Sequence, residues 1–145
     1  MNLPPEVVAL LKSARTIAVL GLSSNPERPS YGVARYLQQC GYRVVPVNPR
    51  ESAVLGERSF ASLHEAAATA AIEVVDVFRR SEYVPEVARA AVAAGARLLW
   101  LQEGITNPAA EAEARAAGLQ VVANRCLLKE IARLRAAGVW EEIHG

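Results

Sequence analysis

The sequence is short of the groups that most reactions need. Its 145 residues hold two cysteines, Cys40 and Cys126, at no metal-ligand spacing. A thiolate metal centre and a disulfide framework are thereby excluded, and reduced thiols in a cytoplasmic protein are expected. The two histidines, His64 and His144, fall in an expected helix and in the tail, and both read as surface residues. No G-x-S-x-G nucleophile elbow, zinc spacing or P-loop lysine occurs. The charges nearly cancel: 16 Lys and Arg stand against 15 Asp and Glu, a net +1. That leaves no footprint for nucleic acid and no patch for an anionic membrane. No apolar run approaches the ~20 residues of a membrane-spanning helix. The opening stretch, Met1 to Lys12, is too short and too acidic at Glu6 for a secretory signal. There is no fixed-period repeat and no low-complexity linker. Recognition of any anion must therefore be local.

What is present is core. Hydrophobic residues make up 52% of the chain, enough for a single domain spanning residues 1–145. Five apolar stretches read as strands: Thr16 to Leu20, Tyr42 to Pro49, Ile72 to Phe78, Arg97 to Leu101 and Leu119 to Ala123. The first is apolar without a break, so both of its faces should be covered, as in a parallel sheet. Pro46 is expected at the end of the second strand, where no ladder donor is needed. Helical patterns fill the gaps. Pro4 to Lys12 comes first, then Tyr31 to Gln39 with Ser30 as its cap and Gly41 as its stop. Ser62 to Ala70 has a capping box of Ser62 and Glu65. Ser81 to Ala94 follows, then a helix opened by Asn107-Pro108 and a last one from Leu127 to Ala137. Strands alternating with helices give an α/β, doubly wound parallel five-stranded sheet with helices on both faces. The expected strand order is 3-2-1-4-5, with the ligand crevice beside the first strand.

The loops at that crevice carry the candidate site. Gly21 directly follows the first strand and lets the backbone turn and approach a ligand closely. Leu22, Ser23 and Ser24 continue the loop, and the two hydroxyls can bind phosphate oxygens. Tyr31 and Gly32 stand at a helix start, which favours an anion. The pattern is not G-x-G-x-x-G, so the dinucleotide fingerprint is not met. After the second strand come Val47, Asn48, Pro49 and Arg50, where a site for unphosphorylated ribose would place an Asp or Glu. Asn48 and Arg50 instead suit a ligand phosphorylated on its ribose, coenzyme A or NADP. Phe78 can wall an adenine, Arg79 and Arg80 are candidate phosphate partners, and Tyr83 lies near the next helix start. Gln102 and Glu103 follow the fourth strand at the same edge. Cys126 follows the fifth strand and reads as a small buried residue.

The blocks Gly21-Leu22-Ser23-Ser24, Ser30-Tyr31-Gly32-Val33 and Gly41 to Pro49 resemble the stand-alone CoA-binding domain proteins of the YccU type. The likeness continues through Val74 to Arg79, Leu99 to Gln102 and Val121 to Cys126. A more distant resemblance is to the nucleotide-binding domain of the succinyl-CoA synthetase α subunit, through Glu103-Gly104-Ile105 and Asn124-Arg125-Cys126. The resemblance implies a Rossmann-like domain that binds coenzyme A or an acyl-CoA across the crevice, with no catalytic group of its own identified and no metal. By position, Gly21 to Ser24 and Tyr31-Gly32 would meet the diphosphate. Val47 to Arg50 would flank the adenosine, and Phe78 and Arg79 would border the adenine and pantetheine path. An NADP-binding oxidoreductase or redox-sensing module is the alternative. A third reading is an interaction subunit that docks through the C-terminal helix and Trp140. A homo-oligomer or an enzyme partner is left open.

Overall fold

The computed structural model describes residues 2–139. Trp140 and His144, named above, lie outside the described residues. The chain runs α1 (Pro5–Ser13), β1 (Thr16–Leu20), α2 (Pro29–Gln39), β2 (Arg43–Val47), β3 (Ala53–Val54), β4 (Glu57–Arg58), α3 (Leu63–Ala67) and β5 (Val74–Val77). A short 3-10 turn at Ser81–Tyr83 then leads into α4 (Val84–Ala93), β6 (Leu98–Leu101), α5 (Pro108–Ala116), β7 (Gln120–Val122) and α6 (Leu127–Ala136). The fold is an α/β, Rossmann-like one, with a parallel five-stranded sheet between two helical layers.

The layers follow from the pleat, which sends alternate strand residues to opposite faces. Ala18, Leu20, Val75, Val77, Leu99 and Leu101 pack with α3, α4 and α5. Ile17, Val19, Val74, Leu98 and Trp100 pack with α1, α2 and α6. All five residues of β1 are buried, which is why the strand is apolar from Ile17 to Leu20. Full burial of each Leu or Ile contributes about 1.5–3 kcal/mol. Trp100 is fully buried and hands its indole N–H to the Arg125 carbonyl at 2.8 Å.

The strand order corrects the sequence expectation. The sheet reads β2-β1-β5-β6-β7. The third long strand therefore pairs with the first, instead of lying outside the second as 3-2-1-4-5 required. Pro46 supplies the reason. Its carbonyl accepts the Phe60 N–H at 3.0 Å on the outer edge of β2. A strand residue turns its N–H and C=O the same way, so the donor that proline lacks is missing from that edge. The edge takes only a single bridge, Val47 to Phe60, and the full strand goes beside β1. The resulting order is the other common doubly wound one, and its switch point lies between β1 and β5. Pro46 itself stands inside β2, one residue before its end.

Two local expectations also shift. Helix α2 begins at Pro29, with Arg28 at the cap position, so Ser30 lies within the first turn. Proline suits a first helical position because its absent N–H would have no partner there. The stretch after β2 contains an antiparallel hairpin, β3 with β4. Its turn places Leu55 at φ 53° and Gly56 at φ 79°, the pair of positive angles that twists a two-residue hairpin correctly.

Candidate functional site

Gly21 is the corner of the site. It leaves β1 at φ +83°, and its N–H donates to the Val47 carbonyl at 2.9 Å, which ties the ends of β1 and β2 together. A Cβ at this position would stand 3.0 Å from the Phe78 carbonyl oxygen and 3.4 Å from Arg79 Cγ. Conformation and space both demand glycine here.

Asn48 joins the two loops. Its Nδ2 donates to the Leu22 carbonyl at 3.0 Å, and its Oδ1 accepts the Arg50 N–H at 3.0 Å. Its main-chain carbonyl accepts the Glu51 N–H and the Ser59 hydroxyl, each at 3.1 Å. Ser30, buried in the first turn of α2, accepts the Ser23 N–H at 3.1 Å, and Ser23 Oγ accepts the Asn25 N–H at 3.1 Å. The Ser24 N–H donates to Glu51 Oε2 at 2.7 Å. A carboxylate therefore does stand beyond the second strand, one residue past Arg50, and it reaches back across the loop. Sequence reasoning missed Glu51, and read Ser30 as a helix cap rather than as the acceptor of the Ser23 N–H, because each acts through a contact that only the fold makes.

A hollow of about 490 Å³ opens between the ends of β1 and β2 and helices α3 and α4. Of the sequence-expected residues, it brings together Gly21, Val47, Asn48, Pro49, Arg50 and Arg79. Leu63, Val87 and Ala90 supply an apolar wall. His64 and Glu86 also line it, although both are exposed; His64 faces it because it lies in the first turn of α3, behind the Ser62 cap. Arg79 lies over the Tyr83 ring, 4.5 Å from its centroid, with Nη1 3.6 Å from Glu86 Oε1. Among the described residues, the exposed Arg50 guanidinium makes no hydrogen bond or ion pair.

The remaining expected residues stand apart from this hollow. Tyr31 and Phe78 pack against the core on the α2 and α6 face. Gly32 is exposed in the first turn of α2, and a Cβ there would meet nothing within 4 Å. Gln102 is buried, and its Oε1 accepts the Leu127 N–H at 3.2 Å at the start of α6. Glu103 pairs outward with Lys129 at 3.1 Å, and this hydrogen bond raises the lysine pKa. Arg80 pairs with Glu82 at 3.7 Å, fully on the surface. Cys126 is half-buried at the cap position of α6, while Cys40 is buried. A larger hollow, about 590 Å³, lies at the opposite end of the sheet, beside Glu6, Ser13, Arg97 and Gln120. Among the described residues, no cluster of His, Cys, Asp or Glu could hold a metal ion, and no helix is long and apolar enough to cross a membrane.

Within the sheet, Asp76 stands in β5 between Val19 of β1 and Trp100 of β6. It is fully buried, and neither carboxyl oxygen has a hydrogen-bond partner. Burial pushes its pKa well above the usual carboxylate range.

Residues 15–132 match the family model for a CoA binding domain. The chain belongs to that CoA-binding domain family. Three relatives are matched over most of both chains. The chain is 36% identical over 122 residues to YneT of Bacillus subtilis, an uncharacterized protein, covering 84% of this chain and 89% of the relative. A solved structure from Thermus thermophilus is 42% identical and superimposes with a TM-score of 0.83, over 89% of this chain and 96% of that one. A hypothetical protein from Pyrococcus horikoshii is 37% identical with a TM-score of 0.86, over 92% and 93%. The family resemblance read from the sequence blocks is thus shown over most of the chain.

Proposed function

We propose that this protein binds coenzyme A or an acyl-CoA across the carboxyl ends of β1, β2 and β5, without a catalytic group of its own. The observation that carries the reading is the family match over residues 15–132, a span that contains every residue lining the 490 Å³ hollow. The donor set fits such a ligand. Arg50 is an uncommitted cation for the ribose phosphate, and Leu63, Val87 and Ala90 offer an apolar wall to the adenine. Gly21 lets the chain pass close over the sheet edge. Gly32 leaves open space at the start of α2, where helix amides favour a diphosphate. Coenzyme A itself supplies a thiol for carrying acyl groups, and the residues here bind and orient it.

Calorimetry with CoA, dephospho-CoA, NADP and NAD tests this. CoA is expected to bind tightest, and Arg50→Ala is expected to erase its advantage over dephospho-CoA, a loss of about tenfold for one charge-assisted contact. Tighter binding of NADP than of CoA would overturn the reading in favour of the oxidoreductase alternative.

A further inference from the structure

The loop after β1 already holds an anion, and it comes from the protein itself. The Ser24 N–H donates to Glu51 Oε2 at 2.7 Å, the short end of the range for such bonds and typical of a charged acceptor. The root of Glu51 is fixed, because its own N–H is bonded to the Asn48 carbonyl at 3.1 Å. Among the described residues Glu51 forms no ion pair, and neither does Arg50, its neighbour in the chain. The carboxylate thus lies on a neutral loop amide and not on the adjacent cation. That placement marks the Ser24 amide as a position that accepts negative charge. The neighbouring Ser23 amide is committed to buried Ser30, so Ser24 is the loop donor that an exchange of anions would use.

We infer that Glu51 is a displaceable occupant of the phosphate-binding loop, and that the diphosphate of a bound ligand takes the Ser24 N–H from it. This rests on the coenzyme A reading. One N–H cannot serve a carboxylate and a phosphate oxygen together, and two anions at that separation repel. Ligand entry therefore requires the Glu51 side chain to swing into solvent, an available move because Glu51 is only half-buried. The carboxylate sets a threshold that a diphosphate, with two negative charges in all, passes and a weaker anion does not. Removing the charge should strengthen binding.

The test compares wild type, Glu51→Gln, Glu51→Ala and Glu57→Gln by calorimetry with CoA and, separately, with inorganic diphosphate. The Ser24 amide is followed by nitrogen–proton NMR throughout. Glu57 lies on the β3–β4 hairpin that follows Glu51 and reports any general effect of lost negative charge. Both Glu51 variants are expected to bind CoA about tenfold tighter than wild type, the scale of one charge-assisted hydrogen bond, with Glu57→Gln unchanged. The Ser24 amide should shift on ligand addition in the wild type and already be shifted in the free Glu51 variants. Equal or weaker binding by the Glu51 variants, or the same gain from Glu57→Gln, overturns the proposal. If no variant binds CoA, the cofactor reading falls. The diphosphate arm then decides the exchange by itself: it stands if the Glu51 variants bind diphosphate more tightly at Ser24, and falls if they do not.

Discussion

Asp76→Asn should make the protein more stable at neutral pH than at acid pH, relative to wild type. Asp76 is fully buried in the middle of the sheet, both carboxyl oxygens lack partners, and burial raises its pKa well above the ordinary carboxylate value. The Val77 main chain pulls the other way but is outweighed by burial, and the paired strands add nothing. Val19 is apolar, and the Trp100 indole N–H is already given to the Arg125 carbonyl. In the unfolded chain the same group titrates near 3.9. Between that value and the raised folded value, the unfolded state has lost a proton that the native state keeps. Unfolding is therefore favoured as pH rises, and wild-type stability falls by about 1.4 kcal/mol per pH unit across the window. Above the folded value the loss levels off; below about pH 3.9 both states are protonated and the loss vanishes. Asparagine has nearly the same shape and does not titrate. The stability difference, variant minus wild type, should climb with pH by about 1.4 kcal/mol per unit, or roughly 3–6 °C in Tm for a domain of this size. Urea unfolding or calorimetry from pH 4 to pH 8 measures it. A difference that stays flat or falls with pH would show that the carboxyl is ionised and satisfied in the native state, and the argument from burial would be refuted.

Two further outcomes follow from the site's scaffold. Gly21→Ala adds a Cβ 3.0 Å from the Phe78 carbonyl oxygen at φ +83°; it should cost about 1–3 kcal/mol in urea unfolding and weaken CoA binding in the same preparation. Asn48→Ala strips the partners from the Leu22 carbonyl and the Arg50 N–H; a loss of about 1–3 kcal/mol of stability is expected, with faster amide exchange in residues 21–25 and 48–51, and unchanged exchange there would show that the two loops are held by something else.

Most elements were legible from pattern alone, and the failures share a cause. The apolar runs located all five long strands, because a strand covered on both faces is mostly apolar and shows as a run. The cap at Ser62, which accepts the Glu65 N–H, and the cap at Asn107, which accepts the Ala110 N–H, stand where their spacing placed them. Strand order was not legible in that way, since periodicity identifies elements and says nothing about neighbours. The one informative residue was Pro46, and its meaning depends on which edge its missing donor faces. The start of α2 was misplaced by two residues, because Ser30 looks like a cap when Pro29 is not read as the first helical position. The β3–β4 hairpin has strands of two residues each, too short for any alternation to register. Within the site, Gly21 and Asn48 were visible as types at the ends of strands. The partners that fix them were not visible: Glu51 and Ser24 are 27 residues apart in sequence, and only the fold brings them together.

For the proposed coenzyme A site, the electrostatics of the crevice put more weight on main-chain geometry than on charge. The net charge of +1 exerts almost no long-range pull on an anion. Locally, Arg79 is opposed by Glu86, and Glu51, next to Arg50 in the chain, accepts the Ser24 N–H. Arg50 is the cation left uncommitted at the rim. A ligand carrying both a diphosphate and a ribose phosphate cannot be neutralised by that one side chain. It must lean on directed N–H groups, whose contribution depends on angle and distance. The sequence spends its constraints accordingly. A glycine with no room for a Cβ sets the corner, and an asparagine with both ends of its amide in use sets the separation of the loops. A proline that blocks the outer edge of β2 sends β5 to the position from which Phe78 and Arg79 close the corner. These residues carry little charge among them, and each fixes where a donor points.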